Sequence, residues 1–158
     1  MTNRRRLPDE VSCLPLLKRQ FFSAQILTQE WVDPVDKKHS VYPASSDIKD
    51  SHGHILVTVY SVLRPDGQWS LLLVNKDRSN PHSVAVDFQN SSDHSHHYFQ
   101  GTVKQVSFGA DNYVWHAHGQ DSYANPDGPA TKSDQRGGKG MEYTLPKASI
   151  TVLRGMVQ

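Results

Sequence analysis

The chain has 158 residues, 36% of them hydrophobic, a mean hydropathy of −0.61 and a formal net charge of +1. That length suits one domain with a core of its own, hiding roughly 70% of the unfolded surface. The balance of 17 basic and 16 acidic residues leaves no electrostatic case for nucleic acid or for an anionic membrane as a partner.

Arg4, Arg5 and Arg6 lead into Leu7, Pro8, Asp9 and Glu10, so no apolar segment of a signal peptide follows them. No window approaches the ~18 apolar residues of a membrane span. As written, the sequence reads as cytoplasmic. Cys13 is the single cysteine, so no internal disulfide is expected, and neighbouring Ser12 and Leu14 offer it no base.

Residues 1–12 read as a charged, disordered lead. Ser12 is placed to cap a helix with Pro15 in its first turn. Leu14, Leu17, Phe21, Ala24 and Thr28 keep helical spacing, with Phe22 beside the stripe, which predicts a helix over 13–28. Asp33-Pro34 ends it. Residues 55–63 and 69–74 are β-rich runs joined by Arg64-Pro65-Asp66-Gly67-Gln68, a hairpin signal. Trp69 falls in the second run and reads as core. Val84, Val86 and Phe88 alternate with Ser83, Ala85 and Asp87, as in a half-buried antiparallel strand.

Residues 90–97 are polar and histidine-rich and read as a loop. Further strands are expected over 102–108, 113–116, 141–145 and 149–153. Residues 119–140, with five glycines and two prolines, read as a long surface loop. The result is an all-β fold: an antiparallel sandwich of about seven strands behind one N-terminal helix. The helical segment closes at 32 and the sandwich takes 33–158.

The chemistry is sparse. The glutamates are Glu10, Glu30 and Glu142, and no two are recommended as the facing carboxyl pair of a glycosidase. No catalytic residue is assigned. His52-Gly-His54 and His116-Ala-His118 have the i, i+2 spacing that puts two rings on one side of a strand. His94, His96 and His97 form a third cluster. Neither His-x-His pair is followed by a nearby glutamate, so His52, His54, His116 and His118 are weak metal candidates, and no cofactor or tightly bound transition metal is expected. Tyr113, Trp115 and Tyr123 are weak candidates for contact with carbohydrate or another domain. No nucleophile elbow, phosphate loop or dinucleotide motif occurs.

Several segments carry a resemblance. They are Phe21–Gln25 with Gln29–Val32, Tyr42–Asp47, Tyr60–Gly67, Trp69–Lys76, Tyr123–Pro129, and Tyr143–Pro146 leading into Ser149–Gly155. Together they resemble the C-terminal end of bacterial family 39-type glycoside hydrolases, the β-xylosidase and α-L-arabinofuranosidase-like enzymes. The resemblance implies the last helix of a (β/α)₈ barrel followed by an accessory sandwich packed on that barrel. In such enzymes both catalytic glutamates sit on barrel strands, the acid/base one after an asparagine. This chain has no Asn-Glu pair, so no catalytic residue carries over.

The resemblance thus implies a truncated gene, a split subunit or a fragment that stabilises a catalytic barrel supplied in cis or in trans. The helix stripe is expected to face that partner or a second copy of the chain. Two other readings stay open from sequence: a free-standing carbohydrate-binding module, and a small metal-dependent jelly-roll enzyme built on converging histidines.

Overall fold

The computed structural model describes residues 14–158, with side chains from residue 20 onward. The lead at 1–12, the expected cap at Ser12, Cys13 and the side chains of Leu14 and Leu17 lie outside the described residues. The architecture is an all-β sandwich with one short helix, as the sequence predicts. Helix α1 is Leu14–Gln25, and a π-helical turn, Ile26–Trp31, continues it. Strands β1 Ser40–Tyr42, β2 Val57–Leu63, β3 Trp69–Asn75, β4 His82–Ala85, β5 Phe88–Gln89 and β6 His96–His97 come next. They are followed by β7 Phe99–Gly109, β8 Tyr113–His116, β9 Tyr123–Asp127, β10 Thr131–Arg136, β11 Glu142–Leu145 and β12 Ser149–Val157.

A six-stranded antiparallel sheet in the order β1-β2-β3-β12-β7-β10 forms the centre, with three small two-stranded sheets, β4-β11, β5-β6 and β8-β9. Both faces of the large sheet are covered, which explains its composition. On β3, Leu71 and Leu73 point into one core and Leu72 into the other; on β12, Leu153 and Val152 divide the same way. A strand buried on both faces needs a continuous apolar run rather than alternation.

The first core joins the large sheet to β4 and β11 through Val57, Phe99, Val103, Val84, Tyr143 and Leu145. The edge-to-face pairs Phe88–Phe99 and Phe99–Tyr143 order the aromatics at its centre. Trp69 is half-buried against this core, and Val86 and Phe88 continue the inward face begun by Val84. The second core lies on the opposite face, where Ile26, Phe22 and Trp31 meet Leu72, Val106, Phe108 and Val152.

The hairpin over 64–68 forms as its sequence demands. Leu63 pairs with Trp69, the Gly67 N–H donates to the Arg64 carbonyl, and Gly67 holds φ +81°, a conformation open to glycine.

Three expectations change. Residues 119–140 are not one long loop: they contain β9 and β10, and β10 pairs with β7 along its whole length. Every side chain of β10 is exposed, so its backbone pairing with β7 and polar ties such as Lys132 to Glu30 hold this edge strand, and no apolar alternation announces it. The histidine-rich stretch is also not wholly a loop, since His96 and His97 pair with Gln89 and Phe88.

The helix also differs from its expected form. It is α-helical only to Gln25, where the π-turn begins; the Val32 N–H reaches the Leu27 carbonyl, and the Thr28 hydroxyl donates to the Ala24 carbonyl. The buried face is therefore Phe22, Ile26 and Trp31. Phe21 and Ala24 of the expected stripe point to solvent.

Candidate functional site

The helix–sheet junction is the most built part of the surface. Arg64, at the hairpin turn, has a side chain only 5% exposed. Its Nη1 donates to the carbonyls of Glu30 and Val32, both at 3.0 Å, and so satisfies acceptors at the open end of the π-turn. Its Nε donates to Asp66 at 3.3 Å, and Asp33 stands 3.7 Å from Nη2. Glu30 faces the other way and bridges Lys132 of β10 and Arg154 of β12. Glu30 is thus a tie between helix and sheet. Glu142 accepts from the Ser83 hydroxyl at 2.7 Å across the β4-β11 pair.

Two large apolar side chains of the helical segment are exposed, one on α1 and one on the π-turn. Phe21 is 62% exposed, its ring edge-on to Phe22, and Leu27 is also exposed. Phe22 in turn contacts Phe108 of the sheet at 5.6 Å between centroids. The sheet thus holds the segment through Phe22, Ile26 and Trp31 and leaves Phe21 and Leu27 exposed.

The aromatic candidates separate. Tyr113 is buried in the second core beside Phe108, with no free ring face for a sugar. Trp115 is half-buried on the same core. Tyr123 is exposed, but the His116 ring stacks on it at 4.8 Å and 18°. His116 Nε2 pairs with the Asn125 carbonyl, and His118 precedes a short 3-10 turn, Gly119–Asp121.

The four candidate histidines do not converge: among the described residues, the metal-type group is Asp50, His52 and His54. The acidic partner of this pair precedes it in the chain, at Asp50, rather than following His54. Asp50 Oδ2 is 2.9 Å from His54 Nδ1. The His54 ring, then the backbone N–H groups of His54 and His52, hold the Asp50 carboxyl below its usual range.

A groove of about 1190 Å³ opens where the small sheets leave part of the large sheet uncovered. Tyr42, Trp69 and Phe88 form its aromatic floor, with centroids 4.8 and 5.2 Å apart along the row, and Asp47 and Asn90 lie among its polar lining. The expectation centred on β8 and β9 missed this groove. Tyr42 sits on a three-residue strand whose apolar pattern is too short to read.

No helix among the described residues is long and apolar enough to cross a membrane. No family model matches the chain, and no curated protein matches it. Solved structures similar to it include an arabinofuranosidase, 12% identical over 65% of this chain and 20% of that one, with a TM-score of 0.42. Another is the GH51 arabinofuranosidase from Xanthomonas axonopodis pv. citri, 17% identical over 74% of this chain and 21% of that one, with a TM-score of 0.38. A protein of unknown function from Acinetobacter sp. is 14% identical over 75% of this chain and 87% of that one, with a TM-score of 0.25. The chain spans about a fifth of the length of the two arabinofuranosidases.

Proposed function

We propose that this chain is a non-catalytic accessory sandwich of a glycoside hydrolase, of the family 39 type that its sequence resembles. Its task is to seat the last helix of a catalytic barrel on a sandwich and so stabilise the barrel, whether that barrel belongs to the same chain or to another. The observation that carries the reading is the exposure of large apolar side chains on a helical segment that the sheet already holds. Phe22, Ile26 and Trp31 hold the segment to the sheet, while Phe21 and Leu27 face outward. The resembling segments Gln29–Val32 and Tyr60–Gly67 are also joined to each other by Arg64. Burying one large apolar side chain is worth roughly 1.5–3 kcal/mol, so the outward pair gives a partner a real gain in stability.

Catalysis belongs to the partner. Glu30 is occupied by Lys132 and Arg154, and Glu142 by Ser83. The test is an assay of the purified chain on aryl xylosides and arabinosides. The expected rate equals the buffer blank. Turnover that disappears in Glu30→Gln or Glu142→Gln would place catalysis in this chain and overturn the proposal.

The groove favours a second reading, a carbohydrate-binding module. Tyr42 and Trp69 line it beside polar side chains, and aromatic rings with polar groups are the combination that holds sugar CH faces and hydroxyls. Retardation on xylan or arabinan in affinity electrophoresis, lost in Tyr42→Ala, supports that reading; unchanged mobility removes it.

A further inference from the structure

The loop between β1 and β2 folds back on itself more tightly than its length requires. Lys49 and Ile55 form a bridge, and the Asp50 N–H donates to the His54 carbonyl at 2.9 Å. The Gly53 N–H donates to the Asp50 carbonyl at 3.1 Å, and Gly53 takes φ +86°, a conformation that side chains disfavour. Within this frame the Asp50 carboxylate is fixed at both oxygens. Oδ1 accepts the backbone N–H groups of His52 and His54, at 2.8 and 2.9 Å, and Oδ2 faces His54 Nδ1. The His52 and His54 rings lie side by side, 6.1 Å apart and 30° from parallel. One donor atom from each of Asp50, His52 and His54 lies within 4.8 Å of the other two.

We infer that Asp50, His52 and His54 form a site for a divalent transition-metal cation of the zinc class, with solvent completing the coordination. The site is independent of the accessory role proposed above. The donor set decides the class of ion. Two imidazoles and one carboxylate suit zinc and its neighbours, whereas calcium and magnesium want more oxygen ligands than this loop offers. The Asp50–His54 pair needs little adjustment, while the exposed His52 ring, whose donor atom lies within 4.8 Å of the other two, turns inward from Ser51 to close the set. Ligand atoms at about 2.0–2.1 Å from a tetrahedral zinc stand roughly 3.3 Å apart. The Asp50–His54 hydrogen bond at 2.9 Å therefore opens by only a few tenths of an ångström to admit the ion. The His54 side chain is 79% exposed, so the ion enters directly from solvent.

The test titrates the full chain with Zn²⁺ against a chromophoric chelator, with ¹⁵N NMR of the histidine rings. The expected result is one saturable site per chain with ring shifts at His52 and His54. Affinity should fall at least tenfold in His52→Ala and in His54→Ala, and measurably in Asp50→Asn. The pairs His96→Ala with His97→Ala and His116→Ala with His118→Ala should leave it unchanged. His52→Ala and His54→Ala should keep the parent unfolding midpoint without metal, since both rings are exposed. The inference fails if no saturable site appears, if binding survives His52→Ala and His54→Ala together, or if the ring shifts fall on other histidines.

Discussion

Arg64→Ala should loosen the helix from the sheet. Arg64 Nη1 carries two charge-assisted hydrogen bonds to carbonyls, at Glu30 and Val32, both 3.0 Å long and shielded from water. Hydrogen bonds to charged groups contribute about 1.5–3 kcal/mol each. Asp33 and Asp66 add little to the loss, because their side chains are 20% and 34% exposed and rehydrate when the guanidinium is gone. The expected loss is therefore about 3–5 kcal/mol, within a total stability of about 5–15 kcal/mol for a domain. Arg64→Lys should lose less, since an ammonium keeps a charge near the carbonyls but not the fork. Equilibrium unfolding in guanidinium chloride measures the loss, and amide hydrogen exchange locates it. Protection should fall first over residues 26–33, ahead of the strands around Val57 and Leu72. An Arg64→Ala protein within about 1 kcal/mol of the parent, with residues 26–33 as protected as before, would refute this account of the junction.

Three further outcomes follow from single side chains. Asn75 is fully buried; its Nδ2 donates to the Pro146 and Asn80 carbonyls and its Oδ1 accepts from the Asp77 N–H. Asn75→Ala should cost about 2–4 kcal/mol in denaturant unfolding, because three backbone groups, at Asn80, Pro146 and Asp77, lose the buried amide that holds them. Asp77 is held at a pKa of about 2, first by the Ser79 N–H and then by Asn80 and His82, against 3.8 for the free side chain. Its contribution is present above pH 3.8 and is lost as the pH falls through about 2, so Asp77→Asn should flatten the acid limb of stability between those values. Glu30→Gln should cost about 1–2 kcal/mol of stability, with the largest gain in amide exchange at the π-turn, because Arg154 loses its nearby carboxylate.

What the sequence made legible follows from where side chains meet water. The 64–68 hairpin and the inward face of Val84, Val86 and Phe88 carry local signals, and both stand as expected. Strand β10 carries none. Thr131 to Arg136 are exposed on both faces, so only its pairing with β7, a non-local fact, makes it a strand. The helix was read from Leu14, Leu17, Phe21 and Ala24, a stripe that omits Ile26. A π-turn puts Ile26 and Trp31, five residues apart, on the side facing Phe108, and helical spacing of 3.6 residues does not express that. Tyr113 is a candidate for carbohydrate or domain contact from its residue type alone, and no local pattern shows that β8 packs its ring into the second core. At the histidine pair, the spacing was visible. The carboxylate was missed because it precedes the pair and is brought to it by the turn at Gly53.

The proposed accessory role requires that the exposed surface of α1 around Phe21 receive a catalytic barrel. Sedimentation velocity tests it most directly, with the chain titrated against a separately produced family 39-type barrel lacking its own sandwich. The account predicts a one-to-one complex that Phe21→Asp abolishes while leaving the fold of the chain intact. No complex at any ratio, or a complex indifferent to Phe21→Asp, would contradict it.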